Sequence, residues 1–556
     1  MSTTRRRFLR ESGLAALGAA AGTGCNSQPA NPRGQASLTA AEPQSPGAGS
    51  PAAFELDEVT IDQLQQRMQA GQYTARRLTE LYLARIAAID RQGPTLRAVL
   101  ETNPDALRIA DELDTERQTK GPRGPLHGIP ILVKDNVDTA DRMSTTAGSL
   151  ALEGLVRSRD AHIVQRFRAA GAIVLAKTNL SEWANFRSTR SSSGWSARGA
   201  QCRNPYALDR NPCGSSSGTG AGIAANCGAA GIGTETDGSI LCPSSANSLV
   251  GLKPTVGLIS RRGIIPISHS QDTAGPMTRT VRDAAILLSV MAGADSGDDS
   301  TRGIENRRHA DYTEFLDPGG LRGARLGVPR KKFFGYSDAT DRVVAAALDD
   351  MMRLGATIMD LPALPHAEEL DQPEFELLLY EFRTDVTHYL SGLPSSSRVK
   401  SLKDVIAFNE AHREREMPYF GQEILLMAQE KGPLTDKVYL NVRDLTRRLS
   451  RREGIDAIMS EHRLDALVVP TGPPPWLIDL VNGDHFVGGS STPAAVAGYP
   501  ALTVPAGFVL GLPVGLSFFG RAFSEPTLFK LAFAYEQATH QRKSPKFLPT
   551  AELAAA

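Results

Sequence analysis

Hydrophobic positions along the chain alternate between helical and strand patterns. After Thr60, apolar residues recur four positions apart at Leu64 and Met68, and a second pattern of this kind begins at Thr74. Because a capping residue precedes each pattern, the sequence predicts two amphipathic helices near the start of a folded domain. A third helical pattern covers residues 161–170. Short apolar runs predict strands at residues 131–133, 172–176, 466–469 and 502–504.

The strand-like runs lie in both halves of the chain, whereas residues 360–455 are charged and helical in pattern. This alternation predicts the α/β class, with one sheet assembled from both halves. Residues 54–556 are therefore expected to form one domain.

Composition excludes several classes of protein. The 556 residues include 61 Lys+Arg and 61 Asp+Glu, and 41% are hydrophobic. These proportions are typical of globular proteins, and a net charge of zero provides no basic surface for nucleic acid. No nucleic-acid partner is expected, and the oligomeric state is left open.

The N-terminus has the order of features that is typical of an export signal. Residues 4–9 read TRRRFL, and an apolar stretch from Gly13 to Gly24 is too short to span a bilayer. Residues 1–25 are predicted to be a twin-arginine-type signal peptide, and residues 26–53 a disordered linker. The protein is therefore expected in the periplasm or cell envelope. A lipid anchor at Cys25 is the one membrane attachment considered, although Gly22 stands where lipoprotein sites usually have a large aliphatic residue.

Four further cysteines lie close together in the sequence. They are Cys202, Cys213, Cys227 and Cys242. Their spacing fits no zinc pattern and no histidine cluster accompanies them, so no metal is expected. We interpret them as small buried hydrophobic residues, and we leave their disulfide state open because an exported protein can oxidise them.

Residues 213–248 are unusually rich in glycine and serine. This density predicts a ligand-contacting loop rather than packed core, because glycine lets a backbone approach a ligand closely. A phosphate loop is excluded, since no GxxxxGK[ST] is present. GSSSG fits the GxSxG nucleophile elbow with Ser216, but Pro212 blocks the preceding strand. The SxxK pair of Ser397 and Lys400 lacks partner motifs and is interpreted as coincidence.

Several longer motifs occur together and in a fixed order. They are GIPILVKDNVDT around Lys134, GSSSG from Gly214, GTETDGSI from Gly233 and GLKPTVGLIS from Gly251. Together they resemble the amidase signature family from about Phe54 to about Thr539. This resemblance implies an amidase signature domain over residues 54–556, with one large mixed β-sheet covered by helices on both faces. It implies no cofactor and no metal.

Within that family the chain is similar to bacterial peptide amidases, because Asp237 stands where many relatives have glycine. The resemblance implies a triad of Ser239 as nucleophile, Ser215 as a bridging cis-serine and Lys134 as base. It also implies an oxyanion hole made by backbone N–H groups, those of Thr236, Asp237, Gly238 and Ser239. The Asp237 side chain either shapes specificity or caps the local turn.

A lysine acts as a base only when it is neutral. Lys134 ends an apolar run, and burial there would lower its pKa. Asp135 should face the other way, since adjacent side chains in a strand alternate. Lys177 and Lys253 are interpreted as structural, and Ser216 and Ser217 as hydrogen-bonding the loop.

These features together predict an exported amide hydrolase that removes the C-terminal carboxamide of peptides. An amidase of small aromatic or aliphatic amides is an alternative, because the triad specifies only the reaction type. A glutaminase component of a tRNA-dependent complex conflicts with export. A catalytically silent binding protein of the same fold conflicts with the intact triad.

Overall fold

The protein is described by a computed structural model that covers residues 53–552. Its centre is a mixed sheet of eleven strands, and a separate pair of short strands lies outside it. The strands are β1 Val99–Thr102, β2 Pro130–Lys134, β3 Ile173–Thr178, β4 Trp195–Ser196, β5 Ala200–Gln201, β6 Ala230–Glu235, β7 Val250–Lys253, β8 Thr273–Thr278, β9 Arg325–Pro329, β10 Thr357–Leu361, β11 Ala466–Pro470, β12 Ala501–Val509 and β13 Leu512–Phe519.

The order of strands in the large sheet is β1-β3-β2-β6-β8-β7-β12-β13-β11-β9-β10. Strand β2 runs parallel to β3 and β6, and β9 runs parallel to β10 and β11. The strands between these two groups pair antiparallel, including β7 with β12. The prediction of one large mixed sheet built from both halves of the chain is confirmed.

Many helices pack against this sheet, and those of residues 371–447 pack mainly on one another. The helices are α1 Ile61–Gln69, α2 Ala75–Ile86, α3 Ala106–Lys120, α4 His162–Ala169, α5 Ser217–Ala224, α6 Leu241–Ala246, α7 Val281–Met291, α8 Asp338–Arg353, α9 Asp371–Ser391, α10 Leu402–Ala411, α11 Arg413–Glu416, α12 Glu423–Gln429, α13 Lys437–Arg447, α14 Asp456–Glu461, α15 Thr492–Ala497 and α16 Glu525–Thr539. The capping box predicted at Thr60 is present, and Thr74 caps α2. None of the helices described is both long and apolar enough to cross a membrane.

The glycine- and serine-rich segment corrects one expectation. It was predicted to be a loop outside the core, yet its residues form α5 and β6, which are buried throughout. Glycine permits the close packing: a Cβ at Gly218 would lie 2.2 Å from the carbonyl oxygen of Ala98. Small residues thus create tight backbone contacts here instead of an open loop.

The predicted signal peptide at residues 1–25 lies outside the described residues. So does the predicted linker at residues 26–53, except for Ala53. Both assignments remain predictions, as does the extent of the domain to residue 556.

Candidate active site

Lys134 is the last residue of β2 and is fully buried. Its Nζ donates hydrogen bonds to the carbonyl oxygen of Thr234 at 3.2 Å and to Thr234 Oγ1 at 2.8 Å. Ser215 Oγ lies 2.8 Å from the same nitrogen. Strands β2 and β6 are parallel neighbours, and this pairing brings Lys134 and Thr234 together across 100 residues of sequence.

Burial lowers the pKa of Lys134 to about 7, although the nearby carboxyls of Asp272 and Glu235 act in the opposite direction. A buried amine loses hydration that favours its charged form, so a substantial neutral fraction exists near neutral pH. Asp135 faces away, as expected: its carboxylate accepts a hydrogen bond from Thr146 and lies 3.6 Å from Arg198.

Ser215 follows a cis peptide bond from Gly214 and is fully buried. The two serines after it hold the segment in place. Ser216 Oγ donates to the carbonyl oxygen of Thr234 at 3.1 Å, and Ser217 Oγ donates to that of Cys213 at 2.6 Å. These contacts confirm that both hydroxyls are used in hydrogen bonds of the loop.

The two other lysines considered from the sequence lie elsewhere. Lys177 Nζ contacts Thr145 Oγ1 at 2.7 Å, and Lys253 Nζ donates to the carbonyl oxygen of Pro254 at 3.3 Å. Both are fully buried, and neither lines the cavity described below. Ser216, the serine of the possible GxSxG motif, is fully buried as well, so a substrate cannot reach it as a nucleophile.

The turn after β6 contains Thr236, Asp237, Gly238 and Ser239. Glu235 shapes this turn, because one of its carboxylate oxygens accepts the N–H groups of Ile240 at 2.7 Å and Leu241 at 3.0 Å. Gly238 has φ +80°, which a side chain would strain. In the described part of the chain, no hydrogen bond uses the N–H groups of Asp237, Gly238 or Ser239. These three groups are therefore available to an oxygen atom of a ligand.

Ser239 is 8% exposed and lines a cavity of about 1070 Å³ together with the other three residues of that turn. The N–H of Ser216 donates to the carbonyl oxygen of Ser239 at 3.1 Å, which fixes the two serine segments side by side. Among the described residues, Ser239 Oγ has no hydrogen-bond partner. Apolar side chains form much of the remaining wall, including Phe186, Ile267, Leu378, Trp476 and Phe486.

A disulfide between Cys213 and Cys242 also lines this cavity. It joins the segment two residues before Ser215 to the segment three residues after Ser239. Cys202 and Cys227 are buried free thiols. The interpretation of these cysteines as buried is confirmed for Cys202, Cys213 and Cys227, whereas Cys242 is partly exposed. The disulfide state, which the sequence left open, is one bond and two free thiols.

Removing this disulfide should destabilise the protein and loosen both serine segments. Its 29-residue separation corresponds to about 3 kcal/mol in the free energy of unfolding, because the crosslink limits the unfolded chain. We expect Cys213→Ser/Cys242→Ser to unfold at a lower urea concentration and to lose amidase activity. Dithiothreitol should lower the midpoint of the wild type but not that of the double variant. An equal effect on both proteins would contradict this prediction.

Several residues of the site were not identified from the sequence. Thr234 and Glu235 belong to the GTETDGSI motif, but their contacts with Lys134 and with the turn could not be assigned from sequence alone. Asp272 accepts a hydrogen bond from Thr236 Oγ1 at 2.6 Å, and its pKa is raised to about 6 by burial. Glu374, on α9, lies next to Asp237.

Comparison with known proteins agrees with this geometry. The family model described as Amidase matches residues 77–529. The structure of native peptide amidase from Stenotrophomonas maltophilia is 51% identical in sequence with a TM-score of 0.85, covering 89% of this chain and 100% of that one. A probable amidase from Arabidopsis thaliana is 43% identical over 504 residues, which are 89% of this chain and 93% of the relative.

A more distant relative is named for a different role. A glutamyl-tRNA(Gln) amidotransferase subunit from a Roseiflexus species is 34% identical over 493 residues, which are 87% of this chain and 97% of that protein. These relatives are thus amidases and an amidotransferase subunit. The chain belongs to the amidase signature family, and it is an amide-hydrolysing enzyme similar to bacterial peptide amidases.

Proposed function

We propose that this protein is an exported amidase that converts the C-terminal carboxamide of peptides into a carboxylate and ammonia. The observation that carries the proposal is the contact between buried Lys134 and Ser215, beside a cavity that Ser239 lines. The substrate class rests on the 51% identity to a peptide amidase. A role in a tRNA-dependent amidotransferase is a weaker candidate, because the sequence identity to such a protein is only 34%.

Ser239 is the nucleophile. Its Oγ forms a bond to the carbonyl carbon of the amide while its proton passes to Ser215 Oγ, and Ser215 in turn gives its own proton to Lys134 Nζ. A neutral lysine has two N–H groups and one lone pair, so it can donate to both oxygens of Thr234 and turn its lone pair toward Ser215 Oγ, 2.8 Å away. The relay then returns a proton to the nitrogen, the C–N bond breaks and ammonia leaves. Water hydrolyses the resulting ester by the same proton path.

The carbonyl oxygen becomes negative in the tetrahedral intermediate and needs donors that are already in place. The N–H groups of Asp237, Gly238 and Ser239 have no partner among the described residues, and the glycine turn presents them to the cavity. Thr236 stays a predicted member of this set. Its side chain bonds Asp272, which supports the start of the turn.

Activity should depend on pH through Lys134. Because the base must be neutral and its pKa is about 7, kcat/KM should reach a plateau above that pH and fall about tenfold per unit below it. Circular dichroism at each pH would show whether the protein stays folded. A profile that is level from pH 8 to pH 5 in folded protein would argue against a lysine base.

The substrate class is tested with a short peptide that has a C-terminal amide. Mass spectrometry and an ammonia assay should show loss of the terminal amide with all internal bonds intact. Hydrolysis of simple aromatic or aliphatic amides, but not of the peptide, would keep the chemistry and reject the peptide assignment. Turnover of neither class would reject the proposed function.

Export is supported by the arginine-rich start of the sequence and by the disulfide, because disulfides persist mainly in oxidising compartments. Cell fractionation should find the mature protein in the periplasm or envelope, without its first 25 residues. Recovery of the full-length chain from the cytoplasm would contradict export.

A further inference from the structure

A pair of acidic side chains lies beside the proposed nucleophile. Asp237, two residues before Ser239, lines the cavity, and Glu374 approaches it from α9 with 3% exposure. Gln271 holds the two segments together: its Nε2 donates to the carbonyl oxygen of Thr236 at 3.3 Å and to Glu374 Oε1 at 2.8 Å. The pair is thus a built part of the site and not a chance contact of mobile surface groups.

The two carboxyl groups of the pair differ in their surroundings. Thr492 Oγ1 donates to Asp237 Oδ2 at 2.8 Å, whereas Asp237 Oδ1 is buried and receives no N–H or hydroxyl donor from the described residues. The buried Glu374 carboxyl interacts electrostatically with the Asp237 carboxylate. Burial and the charge of Asp237 raise the pKa of Glu374 well above its usual value. Because Glu374 stays neutral at pH values at which an ordinary glutamate is ionised, the pair carries one negative charge and not two.

No lysine or arginine in the described chain forms an ion pair with Asp237 or Glu374. Lys332 lines the same cavity, but its Nζ lies 2.6 Å from Asp371 Oδ1. Arg190 also lines the cavity and forms no ion pair with either acid. The Asp237 carboxylate, two residues from Ser239, thus has no ion-pair partner among the residues that the structure describes, and Lys253 interacts with it only at longer range.

We propose that the Asp237–Glu374 pair is a charge filter, which accepts the neutral carboxamide end of a substrate and rejects the corresponding carboxylate. This inference rests on the proposed function and extends it to product release. Hydrolysis converts a neutral amide into an anion within the cavity, and the anion is repelled by a like charge in a partly dry site. The enzyme should therefore bind its acid product weakly.

The test compares one peptide as amide and as acid. In wild-type enzyme, the inhibition constant of the acid should exceed the KM of the amide at least about tenfold. Asp237→Asn removes the charge and should reduce this ratio by about tenfold. The charge of Asp237 also opposes the negative oxyanion, so Asp237→Asn can change kcat. The test therefore depends on the ratio of the acid's inhibition constant to the KM of the amide and not on kcat. Calorimetry with both peptides in a Ser239→Ala background should give the same ranking without turnover.

Glu374→Gln is the matched control, since it replaces a neutral carboxyl group by a neutral amide and leaves the charge of Asp237 in place. Rejection of the acid should persist in this variant. The proposal fails if the inhibition constant of the acid is close to the KM of the amide in the wild type. It also fails if the ratio of these two constants is unchanged in Asp237→Asn, or if the ratio falls to about one in Glu374→Gln. If the peptide amide is hydrolysed without discrimination, only the filter fails. If the amide is neither bound nor hydrolysed, the proposed function fails and the filter with it.

Discussion

Ser239→Ala is expected to abolish amide hydrolysis while the protein stays folded. Loss of the nucleophile from a serine hydrolase lowers kcat on the order of 10⁶-fold. Ser239 Oγ has no hydrogen-bond partner among the described residues, so its removal should change the free energy of unfolding by less than about 1 kcal/mol. The measurements are ammonia release and urea unfolding of the same preparation.

Ser191→Ala is a suitable control for that experiment. Ser191 lines the same cavity, but its Oγ bonds Asn185 at 2.6 Å and is not part of the lysine relay. It should keep activity within about tenfold of the wild type, as expected for a contact remote from bond making. Wild-type turnover by Ser239→Ala would exclude this residue as the nucleophile.

Lys134→Met should lower kcat by about three to four orders of magnitude, because it removes the proposed base and keeps an apolar stem in the buried site. The measurement is kcat with a peptide amide, corrected for the folded fraction by circular dichroism. Ser215 and Thr234 would lose their contact with Nζ, so a moderate loss of stability is also expected.

Lys134→Arg separates a base from a fixed positive charge. A guanidinium remains protonated at every pH at which the protein is folded, so it cannot accept the proton. We expect this variant to be as inactive as Lys134→Met. Substantial activity in Lys134→Arg would show that charge, and not proton transfer, is the contribution of this position.

Four of the eleven strands of the sheet were predicted from the sequence, β2, β3, β11 and β12, because each contains a short apolar run. The strand predicted at residues 131–133 is observed at Pro130–Lys134, and the strand predicted at residues 502–504 is observed over the longer range Ala501–Val509. The order of the strands was not predictable from periodicity, since the pattern gives the face of a strand but not its neighbour. The burial of Ser217–Ala224 was missed because glycine and serine packing depends on backbone approach and not on hydrophobicity.

The candidate catalytic residues could be predicted because each lies within a continuous motif. Lys134, Ser215 and Ser239 are brought to one region of the structure. Glu374 could not be found in the same way, since no local signal indicates that a glutamate of a distant helix meets Asp237. The bond between Cys213 and Cys242 was likewise undetermined, because sequence spacing does not fix connectivity.

The strand order also bears on how the chain folds during synthesis. Strand β7 ends at Lys253, and one of its two edges pairs with β12, Ala501–Val509. One edge of β11 pairs with β13, Leu512–Phe519. Until those last strands leave the ribosome, the two portions of the sheet have unpaired apolar edges and no connection to each other. Such edges are prone to pair with other chains. A nascent chain that stops before residue 501 is therefore an aggregation hazard, and protection of the β7 edge should matter from the synthesis of residue 253 to that of residue 501.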